Sequence, residues 1–432
     1  MQNRKTRIAI ILEVKKRELS FLSILEEFLL KEGYEVLLVP FRSLSTWRLL
    51  KFRPDIVVVN GIRTTNPYYY KQIALPKQLF NAKIVCYYSE QVGYYDESLA
   101  ADYNNKLVLD NVDYHVGWGP RFCRDLEKLG VEHSKLWYLG SLQYDIDIYH
   151  KENANFVKER LSRKFGIDKN KKWILYADNI VEGYQPKKYY EQRRMDSFAV
   201  VKKVADKNPN AIVVFRPHPD TSNLELERIK VFFKNNQNII FNNDEHVYYW
   251  TLSSDAVIVW CSTSSIQAMF LEKPIFGFMT SDKQNLNNYW YRDILPLYED
   301  FDLLAEDIRL TLADILTDKE KNTRKARIDY VKEWYFKKDG LSFNRFIGFV
   351  NVVKKSSSTK VYGEKSKIAF PALLKYLYSE FKAFIGDLMK GRYAQNNVSH
   401  KEIITEKQKY DLSRYTHIEF EIKDSQSGKY LE

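Results

Sequence analysis

Ala211-Ile212-Val213-Val214-Phe215-Arg216-Pro217-His218-Pro219-Asp220 is an apolar, β-branched run that stops abruptly at two prolines. Residues 211–215 read as a strand buried on both faces. Proline lacks an N–H and fixes φ, so Pro217 and Pro219 end the ladder and stiffen the turn. Arg216 and His218 are thereby presented at the C-terminal end of a parallel strand, which is where open α/β sheets bind ligands. A guanidinium beside an imidazole donor suits a phosphate. Taken alone, His218 fits a loop histidine capping a neighbouring helix better than a phosphate ligand, and it is the residues further along the chain that reverse this.

Strand-like runs recur on both sides of this stretch. Arg7–Leu12, Glu35–Val39, Asp55–Val59, Lys83–Tyr88, Asp113–Val116 and Leu136–Gly140 are short and β-branched, with helical patterns between them. The first helix is expected over Glu18–Lys31, closed by Gly33. After the lysine-rich loop 168–172 the alternation restarts with Trp173–Ala177, Ala211–Phe215, Asn238–Phe241, Asp255–Val259 and Pro274–Met279. Such alternation predicts an α/β fold of parallel, doubly wound sheets. Two Rossmann-like domains with an interdomain cleft are expected, over residues 1–150 and 151–354. Residues 355–432 are expected to form a separate linker, an amphipathic helix and a polar tail.

With 432 residues the chain is too long for one ordinary core. Three cysteines without CxxC or His/Cys spacing indicate neither a disulfide framework nor a zinc site. No stretch reaches membrane-span length, and no secretory h-region stands at the start, so a cytoplasmic location is expected. A net charge of +11 points to an anionic partner. Lys and Arg are scattered and no nucleic-acid motif occurs, so a phosphorylated substrate or an anionic membrane face fits better than nucleic acid. In the extension, Phe370–Lys390 places Leu374, Leu377, Phe381, Phe384 and Leu388 on one stripe, with Lys375, Lys382 and Lys390 beside it. This helix either lies on the inner face of a membrane or packs on protein.

A second constellation follows the His-Pro loop. Asp255–Val259 runs into Trp260-Cys261-Ser262-Thr263-Ser264-Ser265-Ile266-Gln267-Ala268, a strand, a hydroxyl-rich turn and a helix start. Free N–H groups and the dipole at such a start attract anions. Ser and Thr are equally common as plain N-caps. His115, His133 and His150 show no metal or triad spacing and read as structural.

The order strand-RPHP, then SD-strand-xSTxxxQA, then KP resembles the C-terminal half of GT-B glycosyltransferases of bacterial surface-polysaccharide assembly. It is similar to the capsule Kdo and sialic acid transferases and the polyol-phosphate transferases. Trp118-Gly119-Pro120, Gly140-Ser141-Leu142-Gln143-Tyr144-Asp145 and Arg17-Glu18 resemble the first half of surface carbohydrate biosynthesis proteins. The resemblance covers about residues 7 to 345.

The resemblance implies that Arg216 and His218 hold the donor phosphate, that Ser262, Thr263 and Ser264 bond to it, and that Gln267 meets the ribose. The family usually has Glu at the Gln267 position, and Asn-Pro-Arg where Ser141-Leu142-Gln143 stands. It further implies an acidic general base after Lys83–Tyr88. Glu90 is the first candidate, Asp96 and Glu97 come next, and Glu90 also fits a structural carboxylate. Arg17, Glu18 and Lys15 would orient the acceptor, or serve as ordinary charges at a helix start.

The implied activity is an inverting, metal-independent transfer of a sugar from a nucleotide donor, CMP-linked on resemblance. The acceptor would be a surface polysaccharide or a lipid-linked glycan. No cofactor is expected beyond the nucleotide-sugar substrate. Two alternatives stand beside it: a CDP-polyol phosphotransferase of teichoic-acid type, and a non-catalytic glycan-binding or assembly protein.

Overall fold

The computed structural model describes residues 4–41, 45–61, 72–89, 91, 105–146, 154–183, 187–262, 264–282, 294–357, 370–389, 398–426 and 428–432. Two compact units emerge. One comprises Met1–Gln91, Asp96–Lys151 and Lys332–Glu432, and the other is built from Glu152–Val331.

The first unit is a sheet of eight strands: β1 (Arg7–Leu12), β2 (Glu35–Pro40), β3 (Ile56–Val59), β4 (Lys83–Tyr87), β5 (Tyr114–Gly117), β6 (Leu136–Tyr138), and the late pair β13 (Ile422–Ser425) and β14 (Gly428–Leu431). Their order is β13-β14-β6-β5-β4-β3-β1-β2. β1 to β6 are parallel, and each central strand is buried on both faces, as contiguous apolar runs require. Strand order reverses between β1 and β3, the switch point of flavodoxin-like sheets. The first helix spans Lys15–Lys31, three residues longer at its start than expected, and Gly33 with φ +82 closes it.

The second unit is a fully parallel sheet: β7 (Trp173–Ala177), β8 (Ile212–Arg216), β9 (Ile239–Phe241), β10 (Ala256–Val259), β11 (Ile275–Phe278) and β12 (Leu297–Tyr298). The order β12-β11-β10-β7-β8-β9 is the doubly wound Rossmann arrangement, with its reversal between β7 and β10.

The C-terminal part departs from the sequence expectation. The expected bounds place residues up to 354 in the second domain and 355–432 in a separate extension, whereas Lys332–Glu432, with the helix Ser342–Ser357, belongs to the first unit. Aromatic packing is the reason: Phe343 meets Phe28 at 5.7 Å between ring centroids, Phe346 meets Tyr87 at 5.8 Å, and Phe349 meets Trp137 at 5.0 Å. Nor is the polar tail featureless. The helix His400–Lys407 begins with a Ser399/Glu402 capping box and lies on the first helix, where Lys407 pairs with Glu26 and Glu27 at 2.9 Å each. Tyr415 stacks on Phe28, and β14 then adds to the sheet edge beside β6. Gly428 makes that approach possible: at φ +132 a Cβ there would lie 3.1 Å from the Leu136 carbonyl oxygen.

Candidate functional site

In the second unit the candidate residues gather at the C-terminal ends of β7, β8 and β10, on both sides of the strand-order reversal. The Asp178 N–H donates to the Arg216 carbonyl at 2.9 Å, joining the β7 loop to β8. Asn179 Nδ2 donates to the Cys261 carbonyl at 2.7 Å, joining the same loop to the β10 turn. Cys261 has φ +45, the left-handed conformation that turns the chain sharply out of the sheet. Ser262 organises the turn behind it. Its Oγ accepts from the Ser264 N–H at 3.3 Å, and its carbonyl accepts from the Ser265 hydroxyl at 2.6 Å.

Arg216 is the last residue of β8 and is buried. Its Nε donates to the Glu245 carbonyl at 3.1 Å and its Nη1 to the Pro217 carbonyl at 2.7 Å. The Glu245 carboxylate is engaged elsewhere, by Arg160 at 3.0 Å and Lys164 at 2.8 Å. Burial pushes the Arg216 guanidinium down to about 10, so it stays charged at neutral pH. Among the described residues no carboxylate is in hydrogen-bond contact with it, and Asp244 and Glu245 offset the charge only through space, at the place where the two prolines stiffen the loop. The position favours a nearby anion.

His218 is about a quarter exposed, and its Nδ1 accepts from the Asp220 N–H at 3.2 Å. A neutral ring accepting at Nδ1 carries its proton on Nε2, so the second nitrogen is the donor. Thr263 lies outside the described residues. Ser264 opens the short helix Ser264–Phe270. Gln267 is only 3% exposed, and its buried Nε2 has no hydrogen-bond partner among the described residues. The structure therefore places Arg216, with His218 two residues on, and Ser262 and Ser264 on the two loops that flank the β7 loop, each bonded to it, and places Gln267 in the interior.

A brace beneath these loops escaped the sequence reading. Arg194, in the middle of the helix Lys187–Lys207, pairs with Asp178 at 2.8 Å and Glu225 at 2.9 Å, all of them buried. Burial works against its charge, yet Asp178, with the Tyr176 and Tyr190 hydroxyls, holds Arg194 above its ordinary range. Asp178 Oδ1 also accepts from the Ile180 N–H at 3.1 Å, which shapes the β7 loop. The signal available was the adjacent Arg193-Arg194 in an otherwise mixed helix, too weak to single out.

The first unit has its own cluster at its β1/β3 switch point. Glu18 is 1% exposed; its Oε2 accepts from the Glu13 N–H at 2.7 Å, and its Oε1 accepts from Asn60 Nδ2 at 3.0 Å. Asn60 Oδ1 accepts in turn from the Ser89 N–H at 3.0 Å, and its Nδ2 also reaches Glu13 Oε2 at 3.0 Å. A small cavity lined by Ile11, Phe21, Val59, Tyr87, Asn60 and Ser89 adjoins Glu18. Asn60 is a member that the sequence reading missed. Lys15 pairs with Glu402 of the tail helix. The Arg17 side chain, Glu90, Asp96 and Glu97 lie outside the described residues. The neighbours of Glu90 are anchored: Ser89 by Asn60, and Gln91 by accepting from the Trp118 N–H at 2.9 Å.

His115 is structural. It is buried between the Tyr88 hydroxyl at 2.8 Å and the Leu109 carbonyl at 3.2 Å, and burial pushes it down to about 4. His150 lies outside the described residues. Among the described residues no cluster of three or more His, Cys, Asp or Glu side chains could hold a metal ion.

Residues 139–350 match the model of a family described as CDP-Glycerol:Poly(glycerophosphate) glycerophosphotransferase. No curated protein matches the chain. Among solved structures, a Listeria monocytogenes protein described as a UDP-N-acetylglucosamine 2-epimerase is 14% identical, with a TM-score of 0.58 over 82% of this chain and 97% of its own. MnaA of S. aureus, solved with UDP, is 13% identical, with a TM-score of 0.56 over 81% of this chain and 97% of its own. The wall teichoic acid polymerase TagF is 12% identical, with a TM-score of 0.55 over 83% of this chain and 90% of its own. At such identities the likeness is one of fold, and that fold is GT-B. Together with the family match over the span that carries β7, β8 and β10, it makes this chain a transferase built on the glycosyltransferase fold.

Proposed function

We propose that this protein transfers a polyol phosphate of the glycerol phosphate type from a CDP-linked donor to a hydroxyl group of a growing cell-surface polymer. The observation that carries this reading is the family match over residues 139–350, a span that contains every donor-binding candidate. A TagF variant soaked with CDPG shares the fold, which supports a cytidine diphosphate donor. The CMP-sugar donor first expected has no comparable support, so the polyol-phosphate alternative replaces it as the leading reading.

In this reaction the acceptor oxygen forms a bond to the phosphorus that bears the polyol. The bond from that phosphorus to the bridging oxygen breaks, and CMP departs with the electron pair. The acceptor proton passes to a base, for which Glu90 remains the candidate. Negative charge grows on the departing CMP. His218 Nε2–H donates to it, the buried Arg216 charge lowers its energy, and the Ser262 and Ser264 hydroxyls are further donors. Donors fixed before the reaction need no reorganisation as the charge develops, so their effect on the rate is large.

The test offers the purified chain CDP-glycerol and, separately, CMP-linked sugars, and follows CMP release with transfer of label to a polymer primer. Release from CDP-glycerol with labelled polymer supports the proposal. Release from CMP-sugars alone returns the reaction to sugar transfer, and failure of CMP or CDP to bind removes the cytidine donor.

A further inference from the structure

The helix Phe370–Met389 lies outside the family match and contributes no candidate to the site described above. One side of it is fixed to protein. Glu380 is buried, and its carboxylate accepts from Ser45 Oγ at 2.8 Å and from the Thr46 N–H at 3.0 Å, capping the helix Ser45–Phe52. That anchorage sets which side of the helix faces outward. The outward side is apolar: Leu374, Tyr378, Phe381, Ile385, Leu388 and Met389 are all exposed, Phe381 and Leu388 by 54% each. Their spacing of three and four residues makes one stripe, roughly 22 Å long at 1.5 Å per residue. A continuous exposed stripe of this kind marks an interaction surface.

We propose that this stripe docks the protein on a lipid bilayer with anionic headgroups, the helix lying in the interface plane. Charge and residue type select this occupant. Lys382 is exposed on the same helix, Lys51 is exposed on the anchoring helix, and the whole chain carries +11. A second copy would bring the same excess of cations and repel, whereas an anionic headgroup layer attracts it. Trp47, on the anchoring helix, is 51% exposed, and Tyr378 joins it as an aromatic with a polar tip. Such side chains favour the boundary between headgroups and acyl chains. No helix among the described residues is long and apolar enough to cross a membrane. The arrangement is therefore that of an amphipathic helix lying on the surface.

The experiment is flotation of the full-length chain with vesicles of phosphatidylcholine alone and of phosphatidylcholine mixed with phosphatidylglycerol. Wild type is expected to partition on the order of tenfold more strongly to the mixed vesicles, with the preference lost at high salt. Phe381→Gln with Leu388→Gln, both at exposed positions, should lower partitioning on the order of tenfold or more with an unchanged thermal unfolding profile. Leu374→Gln with Ile385→Gln is a second, independent pair on the same stripe. Leu224→Gln, at an exposed leucine of the other unit, should change nothing. The proposal is overturned if wild type ignores both vesicles, or if both folded double variants float as well as wild type. It is equally overturned if sedimentation shows a dimer that the variants dissociate while vesicle binding is absent.

Discussion

Asn179 Nδ2 and the Cys261 carbonyl oxygen lie 2.7 Å apart, and this hydrogen bond ties the β7 loop to the β10 turn at the strand-order reversal of the second unit. In doubly wound sheets the ligand crevice opens at that reversal. The bond therefore holds the geometry of the proposed donor site more than it holds the fold. Asn179→Ala should cost only about 1 kcal/mol of stability. Cytidine diphosphate binding should fall several-fold more than that loss implies. Calorimetric titration beside a urea unfolding curve separates the two, and unchanged affinity would detach this loop from the donor site.

His218→Ala removes the Nε2 donor from the loop that Pro217 and Pro219 stiffen. Turnover should fall on the order of 100- to 1000-fold, in line with loss of a preorganised donor. His218→Gln, which retains an N–H donor, should recover part of the rate. Equal loss in both variants would assign His218 some role other than hydrogen-bond donation.

Arg194→Met leaves the Asp178 carboxylate buried without its guanidinium. Breaking one side of a buried pair costs on the order of 3–5 kcal/mol. The second unit should unfold at markedly lower urea, and donor binding should weaken because Asp178 shapes the β7 loop. A variant as stable as wild type would mean that the brace is dispensable.

Two buried groups of the first unit oppose each other in acid. Burial raises Asp145 from 3.8 to about 6, against the bond its carboxylate accepts from the Ser342 N–H, and burial lowers His115 to about 4. Between pH 4 and 6 the folded state holds a proton on Asp145 that the unfolded chain has released, so this residue favours folding increasingly as pH falls. His115 does the reverse, because the unfolded imidazole takes a proton near 6.5 and the buried one refuses it. Each contribution is on the order of 3 kcal/mol, so in wild type they largely cancel. Asp145→Asn should make stability drop as pH falls below 6, and His115→Gln should make it rise over the same range. Urea midpoints at pH 4.5, 5.5 and 7 measure this, and parallel profiles for all three proteins would refute the assignment.

Much of the sheet architecture was legible in the chain. A strand buried on both faces has to be an unbroken apolar run, and Ile56–Val59, Trp173–Ala177 and Ile212–Phe215 declare themselves that way. The His-Pro loop and the hydroxyl-rich turn were visible for the same local reason: prolines and serines punctuate the ends of such runs. The Phe370–Met389 helix showed its amphipathic pattern, but not which side was taken. Glu380 looks like any surface carboxylate until Ser45 and Thr46 are found beside it.

By itself the sequence determined what short-range rules encode: strand and helix positions, the alternation that makes parallel sheets, and the residues offered at the strand ends. Only the tertiary structure decided that Lys332–Glu432 completes the first unit, that Asn60 joins Glu18, and that Arg194 braces Asp178. Those outcomes rest on pairs distant along the chain, such as Lys407 with Glu26 or Tyr415 with Phe28. A buried charge or ring has no local signature of its partner. The pairing is favourable only once the sheets have folded and excluded water from around it.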